Sequence, residues 1–469
     1  MKFFKKTVTV ALSVLFVLLT FSGCTKEGTE SWVEYDDVSY ITVANEKKEK
    51  EDSSGTADTS SSKGKKAPTG TVKLPDEIKG RFEKLDYSGK TIKLLVWYNP
   101  QNWEQKIYDD FEKITGAKIK LVQQGSFASG VNKLAALIAA NDAPDATMMT
   151  QDKFPHYITK KLVQPLTKFI DKSKDTWLAY DIMDDIKYDG QYYGITDHFW
   201  GDIYFVYFNK DLFNKNLDVQ KNPLELYKEG KWNWDAFYDL AKKMTVKDDQ
   251  GHITQYGSIT TERNLFALSA GANVCTPNNG HFTNTLNTKQ MKDAAAMEKK
   301  LAEGKYYVNN AGDFANGNVA MYVCPQYYIR SKGRLDRSKG KISFDWDFAP
   351  FPAYTGGKSY NPAGYQFGVV PNKAKNAEAG YMLLNYRSYC QENLTTLTQY
   401  SEEWTERFKK TALGSTHASL DVGIIGDSIW NFYSELFNAG SNAQTTIDSW
   451  IPKVDGKIKT YEDEQKAYK

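Results

Sequence analysis

The sequence predicts an α/β protein whose chain is divided into two lobes. From Thr91 to Met149, stretches typical of strands and helices alternate, and that order favours a parallel sheet with crossover helices. The 469 residues exceed what one hydrophobic core normally holds. Between a predicted hairpin and a predicted buried strand, His198–Asp202 combines aromatic residues, a glycine and a carboxylate. We therefore expect the chain to cross between lobes there, at a hinge beside a binding site.

The first 73 residues are expected to lie outside the lobes. Residues 1–23 combine three early lysines with a short apolar run, as in an export signal. Cys24 follows directly, where the terminus resembles bacterial lipoproteins that carry diacylglycerol on this cysteine; an uncleaved signal anchor is the alternative. Residues 24–73 are too polar to form a core and are predicted to be a flexible tether. We expect a lipid-anchored protein on the outer face of the cytoplasmic membrane of a Gram-positive bacterium.

Charge and composition exclude some classes of function. Sixty Lys and Arg against 58 Asp and Glu leave a formal net charge of +2, so no basic excess indicates nucleic-acid binding. Aromatic residues make up 14 % of the chain, which suggests flat stacking surfaces besides the core. No C-x-x-C or H-x-x-x-H motif occurs, so neither a metal site nor a cofactor is predicted. For Cys275 and Cys324, a disulfide and buried free thiols both remain open.

The first predicted lobe begins near Gly89. Its strands are expected at Thr91–Trp97, Lys118–Val122 and Asp145–Met149, and its helices at Trp103–Thr115 and Val131–Ala140. Because ligands bind beyond the carboxyl ends of parallel strands, the loops at residues 98–102, 123–127 and 150–153 are candidate binding loops.

The later elements are predicted from shorter signals. Asp189-Gly190 indicates a tight turn between two short antiparallel strands. The unbroken apolar run Ile203–Phe208 predicts a strand covered on both faces, and Asn209 opens a helix after it. Trp232 and Trp234 are expected to pack at a helix entry. A further buried strand is predicted within residues 314–323, and helices are expected after residue 401.

Six motifs, weak individually, occur in an order that carries a family resemblance. They are IKLLVW with DFEKITG, NDAPDA, YDGQYYGI followed by YFNKDLF, GKWNWDAFYDLAKKMT, FANGNVAMYV, and PNKAKNAEAGYMLLNYRS. Over residues 92–451 the chain resembles extracellular solute-binding proteins of the sugar-binding class of ABC transporters. The resemblance implies a periplasmic-binding-protein-like fold with a central ligand cleft, an oligosaccharide in the cleft and delivery to permease subunits by a monomer. Lobe 1 would comprise residues 89–201 and a return segment near 353–410, and lobe 2 residues 202–352 with C-terminal helices near 411–469.

The resemblance also assigns candidate ligand contacts. Aromatic faces cover the C–H faces of sugar rings, and charged or amide side chains bind the hydroxyls. The positions that match the family are Gln101, Asn102, Asp152, Lys153, Trp200, Asp202, Arg263, Tyr327 and Trp430. Asp202 is expected to be a hinge carboxylate, with pairing to His198 as the alternative. Trp200 is expected either to line the sugar or to pack the hinge.

An enzyme is the competing class, most plausibly a secreted glycoside hydrolase; an adhesive surface lipoprotein is a third reading. A hydrolase needs two carboxyl groups that flank the scissile bond. Asp345 and Asp347 are the nearest candidates, but on one face of a strand they would lie side by side. The sequence therefore favours a binding protein without catalytic residues.

Overall fold

The computed structural model describes residues 74–100, 102–125, 129–309, 314–326, 342–393, 402–415 and 419–467. Cys24, Gln101 and Tyr327 lie outside these ranges, as does the Asn102 side chain, so the predictions made for them are not tested. None of the helices in the described ranges is long and apolar enough to span a membrane.

The strands in the described ranges form one large sheet and a separate hairpin. They are β1 (Thr91–Val96), β2 (Lys118–Gln123), β3 (Ala146–Thr150), β4 (Gly201–Asn209), β5 (Val246–Lys247), β6 (Ile253–Thr260), β7 (Cys275–Asn278), β8 (His281–Asn284), β9 (Tyr307–Asn309), β10 (Val319–Pro325), β11 (Trp346–Pro350) and β12 (Ala363–Val369). The large sheet has the order β2-β1-β3-β12-β4-β10-β6-β5, with β11 beside β4 and β9 beside β6, and β7 and β8 form the hairpin.

Helices connect these strands and close the chain. They are α1 (Asp76–Phe82), α2 (Asn102–Thr115), α3 (Gly130–Ala139), α4 (Phe154–Thr159), α5 (Tyr180–Asp185), α6 (Lys210–Lys215), α7 (Pro223–Lys228), α8 (Trp234–Met244), α9 (Leu265–Ser269), α10 (Lys289–Gly304), α11 (Ala377–Asn393), α12 (Glu402–Leu413), α13 (Asp421–Ile425), α14 (Ser428–Leu436) and α15 (Ala443–Ala467).

The first part of the sheet is the parallel arrangement that the sequence predicts. β1 pairs in parallel with β2 on one edge and β3 on the other, with Thr91 opposite Lys118 and Leu94 opposite Ala146. Gly116 ends α2 at a φ of 73°, in the left-handed region that a side chain would strain. The carboxyl ends of β1 and β3 consequently lie at the same edge of the sheet.

β4 is the buried strand predicted from the apolar run. Its residues from Ile203 to Asn209 are buried, because β10 pairs with one edge and β12, then β11, with the other. The Asn209 side chain accepts a hydrogen bond of 3.1 Å from the Leu212 backbone N–H, so it caps α6 as expected.

The two parts of the sheet meet where β4 and β12 pair. β12 is antiparallel to β3 through Gln366–Val369 and to β4 through Ala363–Tyr365. At this joint, a Cβ on Gly201 would lie 2.0 Å from the Gly364 carbonyl oxygen. Only glycine at position 201 permits the two strands to approach this closely.

Two local predictions need correction. Asp189 and Gly190 both have positive φ, of 46° and 70°, and form the predicted turn, but it is flanked by the single bridge Tyr188–Gln191 instead of two strands. After the turn the chain pairs with β12 instead of the segment before the turn, because Ile195 exchanges backbone hydrogen bonds of 2.9 and 2.8 Å with Gly368 of β12. Before Gly89, α1 was not predicted; its buried Phe82 packs against Trp177 and Tyr386.

The buried side chains form two clusters. The smaller one covers one face of β1 and β3 beneath α1, α2 and α11, and includes Ile92, Phe111 and Tyr381. The larger one continues through β4, β10 and α8 to the C-terminal helices. Trp232 and Trp234 belong to it, and their indole N–H groups donate to Pro350 O at 2.8 Å and Ser269 Oγ at 3.0 Å, which confirms packing at the helix entry.

Candidate functional site

Asp202 lies at the joint between β4 and β12, opposite Gly364. Its side chain is partly buried, and within the described ranges its carboxylate forms no hydrogen bond or ion pair. Burial raises the pKa of Asp202 to about 6. The alternative pairing with His198 is not observed, because His198 Nε2 lies 3.1 Å from Asp181 Oδ1 instead. Asp202 is therefore a polar group at the joint that has no side-chain partner among the residues that the structure describes.

Glu262 is a second carboxylate of this kind, and the sequence reasoning missed it. It follows the carboxyl end of β6, and its backbone is held by Thr260 Oγ1, which accepts from Glu262 N at 3.0 Å. Burial, and then the negative charge of Asp202, raise the pKa of Glu262 to about 7. The two carboxylates thus lie within electrostatic reach of each other. The adjacent Arg263 was among the predicted ligand contacts, so the sequence identified this loop but not Glu262 itself.

Two glutamines complete the polar group at the joint. Gln326, directly after β10, donates through Nε2 to the carbonyls of Phe199, at 3.3 Å, and Gly201, while its buried Oε1 has no hydrogen-bond partner. Gln151 Oε1 accepts from Tyr365 N at 3.1 Å. A Cβ on Gly364 would lie 3.7 Å from Gln151 Nε2 and 3.9 Å from Asp202 Cβ, so both side chains border this glycine.

Each of these glutamines directly precedes a residue that was predicted to contact the ligand. Gln326 precedes the predicted Tyr327, and Gln151 precedes the predicted Asp152. A neutral amide in a binding loop carries no distinctive pattern in one sequence, so both were passed over. We name Asp202, Glu262, Gln151 and Gln326 together the hinge cluster.

Asp152 and Lys153 lie beside the hinge cluster at the end of β3. Asp152 Oδ2 forms an ion pair of 3.0 Å with Lys153 Nζ, and Asp152 Oδ1 accepts from the Thr150 hydroxyl. Asp152 does not cap α4, since Lys153 occupies the cap position without a side-chain cap bond. Both side chains are partly exposed, which leaves them available to a ligand.

Trp200 is buried in this structure. Its side chain is 2 % exposed, lies under the Arg387 guanidinium at 4.2 Å from the ring centroid, and donates from Nε1 to Gln366 Oε1 at 3.1 Å. This burial favours the packing alternative for Trp200, and its contact with a ligand stays a prediction. Its neighbour Phe199 is also buried and stacks on Phe408 with centroids 6.1 Å apart.

Arg263 and Trp430, two further predicted ligand contacts, lie in surroundings unlike those of Asp202. Burial raises the pKa of Glu298 on α10 to about 8, and the positive charge of Arg263 opposes that rise, so Arg263 lies near Glu298. Trp430 on α14 is 42 % exposed, with its ring 6.3 Å from that of Tyr433. Arg263 follows Glu262 of the hinge cluster in the chain, and no contact with the cluster is observed for Trp430 among the described residues. Trp430 nevertheless keeps an aromatic face open for stacking.

Other chemistries find little support among the described residues. No three His, Cys, Asp or Glu side chains in the described ranges are grouped to hold a metal ion. Cys275 and Cys324 are buried and form no disulfide in this structure. Asp345 pairs with Lys210 at 2.7 Å, and Asp347 pairs with Arg407 at 2.5 Å.

The fold and its joint define the class of two-lobed α/β solute-binding proteins. The sugar-binding protein MalE from Xanthomonas citri is 15 % identical, with a TM-score of 0.62 over 80 % of this chain and 98 % of its own. An extracellular solute-binding protein from Staphylococcus aureus, solved with maltose, is 16 % identical, with a TM-score of 0.61 over 80 % and 99 %. UgpB from Mycobacterium tuberculosis, solved with glycerophosphocholine, is 13 % identical, with a TM-score of 0.57 over 81 % and 99 %.

At these identities the likeness shows the fold. No curated protein matches the sequence. The family described as bacterial extracellular solute-binding protein matches residues 97–386, more than half of the chain, and the chain belongs to this family. The predicted two-lobed α/β fold and the family resemblance are thereby confirmed.

Proposed function

We propose that the protein captures a carbohydrate, most plausibly an oligosaccharide, between its lobes and delivers it to the permease of an ABC importer. The carboxylates of Asp202 and Glu262, which form no hydrogen bond or ion pair with the residues that the structure describes and lie within electrostatic reach of each other, are the observation that carries this proposal. Desolvating a carboxylate without a partner costs free energy, and ligand hydroxyl groups that donate to it would regain that energy. Hydrogen bonds to charged acceptors are also stronger than neutral ones.

The hinge cluster draws on both parts of the sheet. Gln151 follows β3 in the parallel part, Glu262 and Gln326 follow β6 and β10 in the other part, and Asp202 lies on the strand that joins them. A ligand among these side chains would contact both lobes at once. Its additional contacts in a closed state would shift the population toward closure.

A neutral polyhydroxyl ligand fits the cluster better than a phosphodiester. Two carboxylates that already repel each other would repel a third anion. The saccharide ligands of structural neighbours, such as maltose, support this proposal, whereas glycerophosphocholine in UgpB marks the alternative.

A glycoside hydrolase remains the second candidate function, because Asp202 and Glu262 are two carboxyl groups within electrostatic reach of each other. Hydrolysis requires one ionised and one protonated group, with their pKa values pushed apart. Here the pKa values of both groups are raised, to about 6 and about 7, which suits a pair awaiting hydroxyl donors. The family to which the chain belongs is one of binding proteins.

A ligand screen separates these functions. The purified full-length protein is incubated with maltose, maltotetraose, other oligosaccharides and glycerophosphocholine, and the melting temperature, calorimetric heat and reducing ends are measured. A saccharide that raises the melting temperature without new reducing ends supports the binding protein. Release of reducing ends would establish the hydrolase, and a response to glycerophosphocholine alone would replace the sugar with a phosphodiester.

The anchoring of the protein is part of the same proposal. A diacylglycerol on Cys24 would hold the binding protein beside the permease outside the cell, with residues 25–73 as tether. Cells fed an alkyne-tagged fatty acid should label the wild-type protein and not Cys24→Ala, which should appear in the medium. Equal labelling of both proteins would favour an uncleaved signal anchor. Light scattering of the purified protein tests the expected monomer.

A further inference from the structure

Arg387 is a buried cation in the middle of α11. Its side chain is 4 % exposed, and its Nη2 forms an ion pair of 2.7 Å with Glu104 Oε1, whose side chain is 2 % exposed. Nη1 donates to Gln391 Oε1 at 2.8 Å. Burial lowers the pKa of Arg387, but the Glu104 carboxylate and the neighbouring tyrosines raise it by more. The pKa of Arg387 is therefore raised overall. The guanidinium therefore stays charged inside lobe 1.

Glu104 connects this charge to the first binding loop. It lies in the first turn of α2, directly after the loop at residues 98–102 that follows β1. Tyr98 at the start of that loop donates its hydroxyl to Glu104 Oε1 at 2.6 Å. The same carboxylate oxygen thus holds both Tyr98 and Arg387, and the two ends of the loop are tied to one cation.

Trp200 connects the same charge to the hinge. The Arg387 guanidinium lies 4.2 Å from its ring centroid, a distance at which a desolvated cation and a ring attract each other. Trp200 is the residue immediately before β4, and its carbonyl accepts from Gln366 N of β12 at 3.0 Å. The next residue is Gly201, where β4 and β12 approach most closely.

We propose that Arg387 is a positioning residue that fixes the loop after β1 and the start of the crossing strand relative to each other. Because Trp200 is held on lobe 1 by this cation, rotation between the lobes must begin after it, at Gly201 and Asp202. Arg387 thus positions both the loop after β1, where a ligand would bind, and the strand that orients the Asp202 carboxylate. The inference deepens the proposed function, since both segments belong to the proposed ligand cleft.

Hydrogen exchange tests this without a ligand, so it can fail independently of the proposed function. The full-length wild type, Arg387→Met and Arg387→Lys are compared with Arg407→Met as a matched control. Arg407 is likewise buried, 7 % exposed, paired with a carboxylate (Asp347) and placed over a ring (Phe348, 4.3 Å), but it contacts β11 opposite Phe208, away from the joint.

Arg387→Met should speed amide exchange about tenfold in two separate segments together, residues 102–108 and 198–203. Arg407→Met should leave residues 102–108 and 200–203 unchanged even where it lowers the melting temperature equally, whereas His198 and Phe199 are not compared in this control because Phe408 stacks on Phe199. Arg387→Lys keeps a charge for Glu104 but lacks the planar face over Trp200, so protection should recover at 102–108 and remain reduced at 198–203. If Arg387→Met does not fold, Arg387→Lys tests the proposal by itself, through the difference in protection between residues 102–108 and residues 198–203. Equal loosening by both methionine variants, or loosening of one segment only in Arg387→Met, would overturn the proposal.

Discussion

Asp202 and Glu262 repel each other at the joint between the two parts of the sheet. Burial raises the pKa of both carboxyl groups, and the charge of Asp202 raises that of Glu262 further, to about 7. Neither carboxylate has a hydrogen-bond partner within the described ranges. Strain of this kind is typical of a site prepared for a ligand, and it makes the free protein less stable than it could be.

The first prediction concerns stability and pH. The ordinary pKa values are 3.8 for Asp202 and 4.5 for Glu262, and the folded values are about 6 and about 7. Between these values the folded protein binds more protons than the unfolded chain, so these two groups lower stability as pH rises from about 4 to about 7. Asp202→Asn should therefore raise the melting temperature of the free protein at about pH 8 by roughly 1–3 °C.

The same substitution should weaken saccharide binding, because an amide is a weaker acceptor than a carboxylate. Calorimetry at neutral pH measures this loss. Near pH 4, below both folded values, wild type and Asp202→Asn should melt at similar temperatures. A variant that is less stable at pH 8, or that binds as tightly as wild type, would contradict the assignment of Asp202.

The second prediction uses the two glycines of the joint. Gly201→Ala places a Cβ 2.0 Å from a backbone oxygen, whereas Gly364→Ala meets side chains at 3.7 Å or more. We expect Gly201→Ala to cost about 1–3 kcal/mol in the free energy of unfolding, and Gly364→Ala to cost little. Denaturant unfolding measures both. Equal stabilities of the two variants would mean that the strands do not approach as described.

The third prediction contrasts two tryptophans. Trp430 is exposed, so Trp430→Ala should change the free energy of unfolding by less than about 0.5 kcal/mol yet weaken saccharide binding by about 1 kcal/mol. Trp450 is buried and its indole donates to Glu435 at 2.6 Å, so Trp450→Ala should cost about 3–5 kcal/mol. Unchanged affinity in the first variant would remove Trp430 from the proposed site.

The fourth prediction concerns the thiols. Cys275 and Cys324 are fully buried, and burial together with Asp421 raises the pKa of the Cys275 thiol far above its usual range. Both should resist alkylation in the native protein and react after denaturation without a reducing agent. Mass spectrometry of alkylated peptides checks this. A Cys275–Cys324 cross-linked peptide would show that they pair.

Much of the fold was predictable because its signals are local. The alternation from Thr91 to Met149, the apolar run of β4 and the cap at Asn209 each depend on a few neighbouring residues. The missed helix α1 has a short, polar sequence, and tertiary contacts stabilise it, among them the packing of Phe82 against Trp177 and Tyr386 and the ion pair of Arg81 with Asp175. Two hairpin strands were predicted where a single bridge forms, because Ile195 pairs with the distant strand β12.

The site was predictable only in part. Asp152 and Asp202 were singled out from the order of elements and the family resemblance, and their roles toward a ligand stay predictions. The burial of Trp200 was not predictable in this way, because it depends on Arg387, and Glu262 was missed because its relation to Asp202 spans β10.

By itself, the sequence determined the class of fold and the resemblance to the family, since periodicity and turn chemistry act over short distances. The tertiary structure alone decided which polar groups at the joint have partners and which do not. Whether a carboxylate is satisfied depends on every chain segment packed around it, and at Asp202 those segments lie more than a hundred residues apart in sequence.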